Sequence, residues 1–434
     1  TRCDLSDNRV SSICGRGGGL HCSNNSNPVL TDCTISHNTL AGNGSNGGGV
    51  SCVLNSTVTL TNCRITDNTV IGPGGGVFCM DSTLHASGCN ISDNLAIHDI
   101  QEDGGGGIWG ENCELILTQC NISGNRAEDF GGGLICREGV LEMVQCTVKD
   151  NEVDATGGGI NCRNSNATFV HTIISGNTTN NHQGGGIYCG YTNLLLANCL
   201  IVGNSGEKSG GGLYCFRSTP SIKHCTISGN STAADGGGLY IDESGDTTVM
   251  DCIIWENSSD QLAYEGSEPT VSYCNVENGF TGEGNIAVDP LFTTGSLGNY
   301  YLSQMAAGQI NDSPCVNAGS DIAANIALPS PGGTVYMSEL ITRTDHMPDA
   351  GQVDIGFHYF QESSQLPLGV KLSLSGTNFV PGDEFVLQAI LSNPGPDSLP
   401  SQTFVLLMEV NSYYFWYPSW TEDLAYELVD MAVG

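Results

Sequence analysis

Residues 184–212 read GGGIYCGYTNLLLANCLIVGNSGEKSGGG. Directly after the opening glycines, Ile187 and Cys189 share one face and Tyr188 takes the other, the period of a short strand. The stretch ends on the triplet with which it began. The same triplet ends at Gly19, Gly49, Gly76, Gly107, Gly133, Gly159, Gly186, Gly212 and Gly238, at intervals of 26 to 31 residues. A second motif, C-x-I-x-x-N, interleaves with it. Its asparagine falls at Asn8, Asn38, Asn68, Asn94, Asn125, Asn151, Asn177, Asn204, Asn230 and Asn257. Two motifs locked to one period over some 250 residues define a repeat array.

Each repeat is too short for a 34-residue helix pair, and the L-x-x-L-x-L pattern of leucine-rich repeats is missing. Cys225-Thr226-Ile227-Ser228 alternates with period two, as the quoted stretch does. Short strands broken by Gly and Asn predict an all-β chain: a right-handed parallel β-helix of about ten or more coils. Coils stacked at ~4.8 Å make a rod on the order of 43 Å long from Asn8 to Asn257. The glycines suit sharp bends, because Gly enters positive φ without steric penalty. The asparagines suit a structural ladder, since stacked amides donate and accept along the axis.

The twenty cysteines fall mostly into two columns. Cys22, Cys52, Cys79, Cys136, Cys162, Cys189 and Cys215 follow the glycines, with breaks at Gly110 and Ile241. Cys3, Cys33, Cys63, Cys89, Cys120, Cys146, Cys199, Cys225 and Cys252 precede the asparagines, with a break at Thr172. Cys14, Cys113, Cys274 and Cys315 stand outside both. The columns read either as stacked buried thiols or as disulfides between adjacent coils. Pairing within a coil is disfavoured, because the coil with Gly110 keeps Cys120 and the coil with Ile241 keeps Cys252. No C-x-x-C or Cys/His spacing suggests a metal cluster.

Thirteen basic residues face 46 acidic ones, a formal charge of −33. Such a chain repels phosphate backbones, which argues against nucleic-acid partners. No apolar run approaches the ~20 residues of a membrane helix. The chain opens on Thr1-Arg2-Cys3, without an initiator Met, as a processed or partial sequence would. Three regions are expected: the β-helix over 1–278, terminal coils and an irregular cap over 279–361, and a small antiparallel β-sandwich-like module over 366–434. The last carries the aromatic run Tyr413-Tyr414-Phe415-Trp416-Tyr417.

Candidate sites are few. Galacturonan hydrolases of β-helical fold carry NTD, DD, GHG and RIK motifs, and none occurs here. No catalytic residue is assigned, and the chain reads as non-enzymatic. Asp67, Asp93 and Asp150 share one repeat position, and Arg137 and Arg163 should stack in adjacent coils. Register alone produces such pairs. The linker lengthens at 95–103, where Asp99, Glu102 and Asp103 are the candidate ligands for Ca2+, the one cofactor the acidic surface would invite. The outward residue between aliphatic and cysteine is Phe78, Trp109, Tyr188, Tyr214 and Tyr240. This aromatic column is expected to stand exposed as a binding surface, for sugar rings or protein.

GGG[ILV]xC with CxIxxN resembles the GGA[ILV] and FxxN repeats of polymorphic outer-membrane proteins, whose passenger domains are β-helical adhesins. It departs from them in its cysteines and in lacking their Phe. Asp289-Pro290-Leu291-Phe292, Ser313-Pro314-Cys315-Val316-Asn317-Ala318-Gly319 and Val353-Asp354-Ile355-Gly356 resemble the terminal region of bacterial secreted β-helix proteins with choice-of-anchor C-termini. The two resemblances together span roughly residues 1–360. They imply export and an extracellular or cell-surface, adhesin-like structural rod. Its expected partners are further copies of itself, forming filaments through an open coil end or the C-terminal module, or glycans and proteins of the surface matrix. The alternative is a polysaccharide-binding or polysaccharide-cleaving β-helix, a lyase or hydrolase.

Overall fold

The computed structural model describes residues 2–97 and 104–360, together with the strand backbones Gly369–Leu374, Leu387–Ser392, Met408–Val410 and Tyr413–Phe415. One compact unit spans Thr1–Gln361 and a second spans Glu362–Gly434.

The first unit is a parallel β-solenoid. Each coil contributes up to four short strands, as in Asp4–Ser6, Arg9–Val10, Leu20–Cys22 and Val29–Thr31. Repetition builds parallel sheets of eleven, nine, ten and ten strands. Thr270–Ser272 and Asn275–Val276 add an eleventh coil. Between strands the chain turns through left-handed residues at fixed positions. The residue before each ladder asparagine is one, for example Asp67 at φ 58° and Gly124 at φ 63°. The residue before each cysteine of the second column from Cys33 onward is another, for example Asn62 at φ 52° and His224 at φ 52°. Asn, Asp and Gly recur there because they tolerate this region best.

The third glycine of each triplet has a second reason. A Cβ on Gly159 would lie 2.7 Å from the Gly186 carbonyl oxygen and 3.0 Å from the Asn177 amide. The ladder amide fills the space that a side chain would need.

The inward faces form one continuous core of Ile, Leu, Val and Cys from Cys22 to Val276. Phe280 packs against its C-terminal end. Residues 290–360 then run back along the flank instead of only closing the end. Leu200 packs with Tyr301, Ile341, Phe357 and Tyr359, and Ile253 with Leu302, Cys315 and Ile355. The expected cap is therefore a cap by position only up to about residue 289.

In the second unit, Gly369–Leu374 pairs antiparallel with Leu387–Ser392, and Met408–Val410 with Tyr413–Phe415.

Candidate binding flank

Three columns of side chains determine what the solenoid can present. The first is the asparagine ladder. Each Asn side-chain amide donates to the Oδ1 of the next coil's Asn at 2.8–3.0 Å. Each Asn backbone N–H donates to the same oxygen. The second amide hydrogen goes back to a core carbonyl of the preceding coil, as Asn177 Nδ2 to Val148 O at 3.0 Å. From Asn38 to Asn257 the ladder is buried, and Asn8 at its start is exposed. At the other end Gln261 occupies the place of the third glycine. Its Oε1 accepts from Asn257 Nδ2 at 2.8 Å and from Asn257 N at 3.1 Å. The ladder thus ends on an amide plug that the repeat pattern does not announce.

The second column is a thiol ladder. Cys225 Sγ accepts from Cys199 N at 3.3 Å, Cys252 Sγ from Cys225 N and Cys274 Sγ from Cys252 N, both at 3.4 Å. Most of these thiols also meet a carbonyl of the preceding coil, as Cys146 with Leu117 O at 3.3 Å, while Cys225 meets Lys223 O of its own coil at 3.1 Å. Thr172 interrupts the cysteines yet keeps the chemistry, with its hydroxyl placed 3.5 Å from Met143 O. Cys274, expected outside the columns, is the last thiol of this one. Asn285 ends it by accepting from Cys274 N at 2.9 Å. Cys113 was expected outside too. Its sulfur lies 2.7 Å from where a Gly110 Cβ would be, so it fills the gap in the other column from three residues away. All twenty cysteines are free thiols, and only Cys3 and Cys14 are exposed. Burial pushes the Cys22 thiol up to about 11. A hydrogen bond with Cys146, together with burial, pushes Cys120 up to about 12.

The aromatic column is a correction. Phe78, Trp109 and Tyr214 are buried and only Tyr188 and Tyr240 are partly open. Ile135 and Asn161 divide the column in two. Phe78 stacks on Trp109 at 4.5 Å and 5°. Tyr188, Tyr214 and Tyr240 stack at successive 5.5 Å separations. In-register parallel strands bring equivalent rings to stacking distance, so the rings spend their faces on one another. A sugar ring needs a free face, and this stack offers rims. Tyr214 donates its hydroxyl to Asp242 Oδ2.

Asp67, Asp93 and Asp150 are exposed left-handed corner residues. Asp67 lies 3.9 Å from His37 Nε2. Arg137 and Arg163 are in-register neighbours. Asp99, Glu102 and Asp103 lie outside the described residues. Among the described residues no cluster of three or more His, Cys, Asp or Glu could hold a metal.

The returning segment creates a buried polar seam that sequence reasoning missed. Asn198 clamps it as a strand edge would: its Oδ1 accepts from His358 N and its Nδ2 donates to His358 O, both at 2.7 Å. Asp251 accepts from Ser320 N at 2.7 Å and Ser320 Oγ at 2.6 Å. His358 Nε2 meets Asp349 Oδ2 at 2.9 Å. Desolvation lowers His171 to about 4 and His224 to about 3, and raises Asp251 to about 6.

No curated protein and no solved structure matches the chain. The family model described as the right handed beta helix region matches residues 1–101 and 159–289, over half of the chain, and the chain belongs to that family.

Proposed function

We propose that this β-helix is a non-enzymatic rod, exported and held at a bacterial cell surface, where it spaces or adheres. The observation that carries this reading is the pair of axial hydrogen-bond ladders. They run coil to coil along the solenoid and end on Gln261 and Asn285. Such ladders tie each coil to its neighbours through polar groups as well as through the core, which suits an element that keeps its shape along one axis. Its partners in this reading are glycans or proteins of the matrix, or further copies of the chain.

The test is incubation of the full chain with neutral and acidic polysaccharides, with and without Ca2+, following released sugar ends. The expected result is no turnover, with the rod retained on one or more of the polymers or sedimenting as an assembly. Turnover of any polymer would overturn the proposal and favour the lyase or hydrolase reading.

A further inference from the structure

A polar groove runs along one corner of the solenoid, where the chain passes from strands such as Val50–Val53 to strands such as Thr57–Thr61. It holds about 570 Å³. Asn55, Asp81, Asn112, Glu138 and Asn164 form one wall, each turning the corner of its own coil at a φ between 47° and 57°. Thr57, Thr83, Glu114, Val140 and Asn166 form the other, in register on the strands that follow. Each wall thus presents one side chain per ~4.8 Å of axis. All but Val140 carry hydroxyl, amide or carboxylate groups, and Asn112 Nδ2 donates to Asp81 Oδ1 at 2.6 Å. Among the described residues no Lys, Arg or His lines the groove.

The floor of the groove is a ladder of serine hydroxyls with a break in it. Ser26 N donates to Ser56 Oγ at 3.1 Å and Ser56 N to Ser82 Oγ at 3.2 Å. Farther on, Thr192 N donates to Ser218 Oγ and Ser218 N to Ser244 Oγ, both at 3.1 Å. In the coils between, the floor falls to Cys113 and Gly139. Cys113 turns its sulfur into the gap at Gly110, and Gly139 has no side chain to offer. Among the described residues the N–H groups of Ser82 and Cys113 have no acceptor, although both residues are buried. A buried backbone donor without a partner is rare, and at the floor of a groove it marks a place for a water or a ligand oxygen.

The corner row continues past Asn164 to Tyr191, which is 53 % exposed. Arg217 Nη1 donates to the Tyr191 hydroxyl at 3.1 Å, and Arg217 Nε is itself held by Glu243 at 2.6 Å. The Arg217 guanidinium lies 5.9 Å from the Tyr191 ring centre, and Phe216 meets the ring edge-on at 5.4 Å. Both partners belong to the following coil, so the ring is pinned from that side and keeps a face towards Asn164 and the groove. A fixed, open aromatic face beside rows of hydroxyls and amides suits a sugar ring. A polyol donates and accepts at every hydroxyl, and a chain of such units laid along the axis meets a new pair of wall groups at each coil. Asp81, Glu114 and Glu138 repel acidic units, as does the net charge of −33. We infer that this corner groove, with Tyr191 as the stacking platform at its end, binds a neutral linear glycan along the rod axis. This rests on the glycan-binding form of the proposed rod.

The probes are cellohexaose, mannohexaose and chitohexaose, with tetragalacturonate as the anionic counterpart, titrated against the full chain by NMR or calorimetry at low and high salt. At least one neutral hexasaccharide should bind, with an affinity that salt does not change. Tyr191→Asn removes the ring but keeps a residue suited to the left-handed corner, and should weaken binding about tenfold. Tyr191→Phe should bind as the parent does. Asn164→Gly, equally suited to its corner, should cost roughly threefold or more. Thermal melts matching the parent establish that the variants are folded. Binding undiminished in both Tyr191→Asn and Asn164→Gly overturns the groove and leaves glycan binding to another face. Tetragalacturonate binding as tightly as the neutral probes also overturns it. No binding of any neutral probe by the parent overturns both the groove and the glycan-binding form of the rod, leaving the filament form.

Discussion

Asn177 and Cys146 illustrate how one residue type comes to fill a column. Asn177 offers an acceptor to two donors of the coil before it, while its own amide serves the coil after it and a carbonyl of the coil before. No other side chain of that length supplies an acceptor and two donors at once. Cysteine fills its own column for a similar reason on a smaller scale: it is compact, apolar enough for the core, and able to accept one backbone N–H and donate to one carbonyl. Thr172 can replace it because its hydroxyl meets the same two carbonyl positions, Met143 O and Val170 O. The asparagine column was legible in the sequence because its function repeats at every rung. Cys113 was not, because its sulfur reaches the neighbouring column only through the absence of a side chain at Gly110. The ladder geometry predicts thiols rather than disulfides. In the native chain a thiol reagent should modify Cys3 and Cys14 quickly and the remaining eighteen slowly, since those eighteen are buried out of its reach. In denaturant without reductant all twenty should react, and a count short by several pairs would refute the thiol assignment.

The returning segment belongs to the scale of elements, where periodicity stops being informative. Its docking face was nevertheless written in the outward column of one sheet. That column runs Arg64, Asn90, Asn121, Thr147 and then turns to Ile173, Leu200, Thr226 and Ile253. The inward faces stay apolar throughout, so a change confined to the outward face marks where another element covers the sheet. What no local pattern could show is that the covering element brings its own His and Asp. His171 and His224 sit at the solenoid side of the seam, and His358, Asp349 and Asp354 come from the segment. Asp251 and Lys223 complete the charged surroundings. Desolvation keeps both solenoid histidines neutral in the docked state, whereas free imidazole takes a proton near 6.5. Docking is therefore fully supported above that pH and weakens as pH falls from about 6.5 towards about 4 for His171 and about 3 for His224. Asp251 acts in the opposite sense. Its raised titration near 6 means that its desolvation cost is present above that pH and is relieved below it. Asp354, raised by burial and by the neighbouring Asp349, acts in the same sense as Asp251, so the carboxylates soften the loss that the two histidines drive. Hydrogen exchange at Ile341, Ile355 and Tyr359 should stay slow at pH 6 to 7, after correction for the intrinsic rate, and quicken near pH 4 while the solenoid core holds. Equal protection at both pH values would show that the seam does not titrate. The double change His171→Asn, His224→Asn should move the loss to lower pH.

Across the whole molecule, stability is a property of neighbouring coils, and the position of a defect decides how far it spreads. The repeat gave the number of coils and the ladder residues. It could not give the two ends of the ladders, since Gln261 and Asn285 each act once and appear in no other coil. Gln261 marks where a glycine is no longer obligatory: without another ladder asparagine beyond it, a side chain is tolerated and its carbonyl oxygen becomes the last acceptor. Gln261→Leu keeps the bulk and removes that oxygen. Two donors of Asn257, one backbone and one side chain, then lie buried without an acceptor. An orphaned buried donor costs ~1–3 kcal/mol, so roughly 2–6 kcal/mol falls on the last coils. Each solenoid coil contacts only its neighbours, and the returning segment joins coils only from about Val170 to Ile253, so this loss should not reach the first coils. Hydrogen exchange should rise in Ile253–Trp255, Leu262–Gly266 and Thr270–Ser272, and stay near the parent value in Thr34–Ser36 and Arg64–Thr66. Uniform loss of protection along all the coils would mean that the solenoid unfolds as a single cooperative body. Its ladders would then couple distant rungs far more strongly than nearest-neighbour contacts can, and a ligand bound on one flank would be felt at both ends.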